Sequence, residues 1–466
     1  MADILLSTLN AKYIHTSFGL RYLYANLGPL QARAEIVEFT IDQRPLDIAE
    51  ALLTKRPSVI GLGVYIWNVT QTAALVALLK RLAPEVKIVL GGPEVSFESD
   101  DIPMVNAADV LIKGEADIAF RDTCELLLEG SAPPERIITP PLPSFDALAL
   151  PYDAYTDEDI ANRLIYVEAS RGCPFRCEFC LSSLDVPVRK PALDRFLAAM
   201  DRLIARGVQH FKFVDRTFNL NLKVSEAILG FFASRVTPDM LLHFEMIPDR
   251  LPERLKELIA AFPPTTLQFE VGIQTFDPDV AARIQRRQDP DKVEANLRFL
   301  RATEAVHIHA DLIVGLPGED VACFARGFDR LVGLAPQEIQ VGILKRLKGT
   351  PIARHDETYE MVYGPEPPYE ILRNGAIDFE TMQRLRRFAR IWDLVANSGN
   401  FVETHRLIWG DGSPFEGFMA FSDHIFASER RTHAIALTRL TRLVFDYLVE
   451  SLGRSPESVA PTETVS

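Results

Sequence analysis

Cys173, Cys177 and Cys180 stand in the string CPFRCEFC, a CxxxCxxC spacing. Thiolates that close in sequence meet one metal centre only if the backbone between them curls around it. The stretch must therefore be a loop, and Gly172 and Pro174 suit one. Residues 164–169 just upstream read as a short apolar strand, so the cysteines follow a strand end. Three sulfurs are one ligand short of a closed zinc site. They are also one short of a fully ligated iron–sulfur cube. The other cysteines, Cys124 and Cys323, lie far along the chain, and the nearest histidine, His210, falls on another expected element. Ligand count favours an iron–sulfur site with one open iron. A structural zinc and a chance group of core cysteines are the alternatives.

Composition sets the surroundings. A chain of 466 residues has room for two or three domains. No apolar run reaches the ~18 residues of a membrane span. The opening MADILLSTLNAKYIH lacks a basic start and a cleavage site, and reads as a first strand rather than a signal peptide. Few cysteines, most of them clustered, point to a reducing cytoplasm. A net charge of −14 argues against non-specific binding along nucleic acid and leaves room for a local basic pocket.

The cysteine stretch resembles the signature of the radical SAM superfamily, CxxxCxxC with an aromatic before the last cysteine, here Phe179. The resemblance implies that the three thiolates hold a 4Fe–4S cluster. Its open iron would chelate the amino and carboxylate groups of S-adenosylmethionine, and reduction would cleave the sulfonium to a 5′-deoxyadenosyl radical. A reductant such as flavodoxin or ferredoxin is the implied partner.

Residues 1–140 alternate strands with helices, the pattern of a doubly wound parallel sheet. Such sheets bind ligands at the carboxyl ends of their strands. The loops there carry Asn10 and His15; Tyr65, Trp67 and Asn68; Gly91, Gly92 and Glu94; and Gly114 and Glu115. Glycines let backbone approach a flat ligand, and the aromatics can cover it. No GxGxxG is present, which argues against a nicotinamide cofactor. The strings GLGVYIWN and VLGGPEVS resemble the cobalamin-binding Rossmann-like domain that precedes many radical SAM modules. The DxHxxG motif of other cobalamin proteins is absent, so His15 is the early histidine available for a cofactor contact.

The proline-rich residues 131–151 read as a linker wrapping between domains, and residues 141–160 are the linker part of a central domain spanning 141–350. Strand–helix units then repeat to a total of six, and the resemblance implies a partial (β/α)6 barrel. In barrels the strand ends carry the chemistry. Asp215 and Arg216 end the second strand, His243 and Glu245 alternate along the third, Gln274 follows the fourth, and Gly315 opens the VGLPGE segment after the fifth. By resemblance, Asp215, Arg216, Glu245, Gln274 and Gly315 are the S-adenosylmethionine contacts, with Asp215 first in line for the ammonium. Arg283, Arg286 and Arg287 read as a solvated helix face. Residues 351–466 read as a mainly helical cap with a disordered tail from 453 onward, and its aromatics read as core.

The resemblance to cobalamin-dependent radical SAM enzymes implies C-methylation of an unactivated carbon. The alternatives are cyclisation or rearrangement, aminocarboxypropyl transfer, and a non-catalytic cobalamin sensor or nucleic-acid-modification subunit.

Overall fold

The first strands are unbroken apolar runs because their sheet is covered on both faces. The computed structural model describes residues 2–185 and 187–459. In it β1 (Ile4–Asn10) is buried throughout, with Ile4 and Leu6 facing one core layer and Leu5 and Leu9 the other. There follow α1 (Phe18–Ala25), β2 (Ala34–Thr40), α2 (Pro45–Thr54), β3 (Val59–Gly63), α3 (Val69–Leu82), β4 (Lys87–Gly91), β5 (Val110–Ile112), α4 (Ala119–Leu128) and β6 (Ile137–Ile138). The strands pair in parallel in the order β2-β1-β3-β4-β5-β6. The order reverses between β1 and β3, so the loops after these two strands part and leave a crevice at the carboxyl edge. The expected linker does more than connect. Ile137 and Ile138 add the sixth strand, and Phe145 and Leu148 bury against Tyr22.

The second sheet is built from β7 (Ile165–Val167), β8 (His210–Phe213), β9 (Leu241–Met246), β10 (Leu267–Gln274), β11 (Val306–Val314) and β12 (Glu338–Ile343), in sequential order and parallel. The helices between are α5 (Leu193–Ala205), α6 (Leu222–Ala233), α7 (Glu253–Ala260), α8 (Pro290–Arg301) and α9 (Val321–Leu334). Among the described residues β7 and β12 do not pair with each other, so the barrel is open. Its edges are covered differently. The loop after β1 runs beside the start of β7, with the Leu164 amide donating to the Ile14 carbonyl at 2.9 Å. On β12 the Asn397 side chain takes up both the amide and the carbonyl of Ile339. Strand alternation sorts the rest. On β11, Val306, Ile308, Ala310, Leu312 and Val314 are buried in the core, while His307, His309 and Asp311 take the intervening positions. Phe213 and Phe244 stack at 4.3 Å in the middle of the core.

After a short hairpin (Val362–Tyr363 with Ile371–Arg373) come α10 (Phe379–Val395), α11 (Pro414–Glu429) and α12 (Leu437–Asp446). Phe328 of α9 lies 5.0 Å from Phe388 and 4.7 Å from Trp392 of α10, so these helices pack on the flank of the barrel. One cluster of buried side chains runs from Tyr152 to Val459. The expected border at residue 350 is therefore not a break in the core. Part of the expected tail is also structured: Pro456–Val459 is a helical turn with Val459 buried, and residues 460–466 lie outside the described residues. No helix among the described residues is long and apolar enough to cross a membrane.

Phe244→Ala removes a fully buried ring and is expected to cost about 3–5 kcal/mol in urea unfolding. Phe379→Ala, at a half-exposed site, is expected to change it by less than about 0.5 kcal/mol. Equal losses would contradict the placement of the barrel core.

Candidate functional site

The cysteines sit where β7 ends, in a loop that glycine closes. Gly172 has φ 97°, and a Cβ there would meet the carbonyls of Pro187 at 2.7 Å and Asp185 at 2.9 Å. The Cys173 amide donates to Asp185 at 3.0 Å and the Cys180 amide to Cys177 at 3.1 Å, so the chain folds back on itself around the sulfurs. Cys173 and Cys177 are buried and Cys180 is partly open. Burial pushes the Cys173 thiol up. All three line one cavity inside the barrel mouth, together with Arg216, Glu245, Gln274 and Arg286. Among the described residues no three His, Cys, Asp or Glu side chains are grouped as a single-ion site requires. In a cluster each cysteine binds a different iron, so the sulfurs need only ring the cube.

Some expected contacts reach this cavity and others do not. Arg216 leaves half its side chain open and pairs with Glu245 at 2.7 Å. Gln274 lines the same wall from φ 73°, a conformation costly for a residue with a Cβ. Asp215 is placed elsewhere. Its oxygens accept from the Ala169 amide at 2.9 Å and the Ser170 hydroxyl at 2.6 Å. Burial raises it to about 7, so it anchors the start of the cysteine loop instead of facing a ligand. Gly315 also faces away: a Cβ there would meet Ile371 at 2.7 Å and Met382 at 3.2 Å, so it serves the packing of the C-terminal segment.

The barrel interior carries a ladder of charge. Glu270 accepts from His243 at 3.1 Å and lies 3.9 Å from Lys212. Burial opposes its ionisation, but His243 and Lys212 hold it down at about 2. His309 lies 3.2 Å from Asp311 and 3.1 Å from Glu338. Burial opposes its charge as well, and the two carboxylates prevail, raising it to about 10. Glu270 and Asp311 extend this ladder to the cysteine cavity.

The crevice of the first sheet holds two adjoining hollows. One is lined by Gly63, Tyr65, Gly91, Gly92, Gly114 and Glu115. Gly92 has φ 109°, and a Cβ there would collide with the Val64 backbone. The other is lined by Asn10, His15, Tyr65 and Trp67, with Tyr166 from β7. Tyr65 and Trp67 stack at 4.5 Å and form part of its wall. His15 Nδ1 lies 2.7 Å from the Tyr166 hydroxyl. Burial lowers the His15 pKa, so the ring is neutral and its Nε2 has no partner among the described residues. Bare glycine backbone and an aromatic wall at the carboxyl edge fit a broad, flat cofactor. Three of the expected contacts are engaged in the fold instead, and one of them is Glu115, which borders the first hollow but pairs with Arg171 and Arg189. Asn68 is fully buried and ties its loop to Thr8, Leu9 and Tyr65. Glu94 lies outside both hollows, paired with Lys348 at 2.9 Å and accepting from Tyr369 at 2.6 Å.

Three residues escape a reading of the sequence. Arg286 belongs to the run taken for a solvated face, yet its guanidinium lies 3.6 Å from Cys177 Sγ and donates to the Gly272 carbonyl. Arg283 likewise turns inward, to the Pro317 carbonyl. Glu178, between two of the cysteines, is fully buried. It accepts from Gln285 at 2.8 Å, pairs with Arg354 and contacts His355 at 2.7 Å. The net charge of the arginine run was legible, but its partners Gly272, Pro317 and Cys177 lie 14, 34 and 109 residues away in sequence.

Cys177→Ala is expected to lose iron and brown colour after anaerobic reconstitution. Arg286→Gln is expected to keep both and to lower the reduction potential by on the order of tens of millivolts, because a hydrogen bond and a positive charge leave the sulfur. An unchanged potential would contradict the contact. For His309, the folded value of about 10 lies above the 6.5 of the free side chain, so its stabilisation is complete below pH 6.5 and lost as pH rises through about 10. The stability gap between wild type and His309→Gln in urea is expected to close over that window; a gap independent of pH contradicts the ion pairs.

The Radical SAM superfamily model matches residues 167–331, the B12 binding domain model residues 5–123, and a family described as a protein of unknown function (DUF4080) residues 357–461. The 2-(S-pantetheinyl)-carbapenam-3-carboxylate methyltransferase of Streptantibioticus cattleyicolor is 25% identical over 59% of this chain and 45% of its own length. The cobalamin-dependent radical SAM methyltransferase TokK of Streptomyces tokunonensis is 23% identical over 84% of this chain and 61% of its own. The chain thus spans less than two thirds of these relatives. The structure of the cobalamin-dependent S-adenosylmethionine radical enzyme OxsB has the same fold, with a TM-score of 0.68 at 13% identity over 99% of this chain and 81% of that one. With a cysteine loop at the barrel mouth and a glycine-lined crevice beside it, the chain joins a B12 binding domain to a radical SAM domain, which implies cobalamin, a 4Fe–4S cluster and S-adenosylmethionine as its cofactors.

Proposed function

We propose that the protein is a methyltransferase that methylates an unactivated carbon. The observation that carries this reading is the placement of one loop between two hollows. Arg171 and Asp185 line the crevice of the first domain, and Cys173, Cys177, Cys180, Ser182 and Ser183 line the barrel cavity. A substrate carbon held beside that loop would lie between the two hollows. When bound, the cluster and S-adenosylmethionine supply reductive cleavage of a sulfonium, and cobalamin supplies a transferable methyl group.

The chain's own residues divide the remaining work. Cys173, Cys177 and Cys180 hold the cluster, and Arg286 donates toward the Cys177 sulfur. Arg216 offers a guanidinium to the methionyl carboxylate, while Glu245 and Glu270 offer carboxylates to its ammonium. Gln274 faces the same cavity and is suited to a ribose hydroxyl. His15, neutral and bonded through Nδ1, presents Nε2 to the crevice, where Gly91, Gly92 and Gly114 bring bare backbone to a flat ligand. Tyr65 and Trp67 keep water from one side. That TokK bears the name of a methyltransferase supports the reading.

Reconstituted protein incubated with reductant and methyl-labelled S-adenosylmethionine is expected to yield both 5′-deoxyadenosine and S-adenosylhomocysteine on chromatography. Methylthioadenosine as the main product would replace this reading with aminocarboxypropyl transfer. 5′-Deoxyadenosine alone would replace it with radical rearrangement.

A further inference from the structure

A groove of about 840 Å³ runs between the edge of β12, α10 and the turn after α11. It is of the size that small-molecule sites have. Its charge departs from that of the chain as a whole, which carries −14. Each carboxylate on its walls is already engaged. Glu338 is held by His307 and His309, Glu370 by Arg386 at 2.7 Å, and Asp393 by Arg390 at 2.7 Å. Lys345, Arg387, Arg430 and Arg431 line the same groove, and none of them has a carboxylate partner among the described residues. Four cations thus face one concavity without a counter-charge.

Two details sharpen the point. Arg387 lies with its guanidinium 4.2 Å over the Phe426 ring, which fixes its plane, and its Nε is buried with no acceptor. A buried donor left unpaired is costly unless something supplies the acceptor. Arg430 closes α11 in the left-handed region, at φ 53°, a position where glycine is the usual choice. The chain accepts that backbone cost and sets an arginine at the groove.

We propose that this groove is an anion-binding subsite that holds the phosphate or carboxylate end of a small organic substrate. Planar guanidinium groups bind both anions through paired hydrogen bonds. His309 and Glu338 of the barrel interior also line the groove, so a molecule anchored there lies against the charge ladder that leads toward the cysteine cavity. That the anchored molecule is the methyl acceptor rests on the function proposed above; the anion site itself does not.

The test is isothermal titration of the reconstituted full chain with inorganic pyrophosphate and, separately, with tricarballylate. Binding of either is expected, and the tighter one assigns the anion. Arg387→Ala and the pair Arg430→Ala with Arg431→Ala are each expected to weaken it at least tenfold, Arg387→Lys to recover part of the loss, and Arg33→Ala, far from the groove, to change nothing. Circular dichroism checks that every variant is folded. Absence of heat with both anions overturns the proposal, as does equal affinity in the arginine variants. Binding of a single-stranded oligoribonucleotide that is tighter and displaced by pyrophosphate overturns it in favour of a nucleic-acid surface. The titration needs no methyl transfer, so its failure leaves the proposed function standing, and the nucleoside products test that function separately.

Discussion

Arg171, two residues before the first cysteine, holds the two sheets together. Its guanidinium reaches Glu115 at 2.8 Å and Asp117 at 3.2 Å in the first domain, and Glu168 at 3.1 Å at the end of β7. It also lies 4.6 Å over Tyr22 and 4.9 Å over Phe145. Burial works against the charge, and the surrounding carboxylates hold the arginine above its ordinary range. Arg189 adds a second bridge from the cysteine loop to Glu115. A buried network of this kind gains little net stability against its desolvation cost. What it provides is register. Any sliding of one sheet against the other would strand charges that no longer meet.

That register is what makes one loop serve two hollows. Glu115 is spent on Arg171 and Arg189, so the glycines around it supply the crevice wall and the acid supplies the joint. On its other side the loop is held by Glu178, whose buried carboxylate meets Gln285, Arg354 and His355. The cysteines are thus clamped between a network facing the first domain and one facing the C-terminal segment. Rigid clamping suits a centre whose reacting partners must be kept a fixed distance apart.

The parts of the molecule that were legible in the sequence are those whose causes are local. Apolar runs alternating with helices give the doubly wound first sheet and the six strand–helix units of the open barrel, and the structure has both. Ligand spacing gave the cysteine loop. The site was legible as far as strand placement carries, which covers Glu245 and Gln274; Glu270, His309 and Asp311 sit at alternating positions on β10 and β11 but were not among the expected residues. It failed where a side chain's partner is remote. Asp215 turns back to Ala169, 46 residues earlier, and Arg286 reaches Cys177 across 109. Glu94 was taken by Lys348 and Tyr369 in a segment whose path no local pattern discloses.

The central claim is that three sulfurs ring a cluster whose remaining iron faces the polar barrel cavity and takes S-adenosylmethionine directly. Electron paramagnetic resonance of the dithionite-reduced protein, with and without S-adenosylmethionine, tests it most directly. The account predicts a four-iron signal whose g-values shift when S-adenosylmethionine is added, and which broadens with the isotope when the amino nitrogen or carboxylate oxygen is labelled. A four-iron signal indifferent to S-adenosylmethionine would mean that no iron is open to it, and the account would fail.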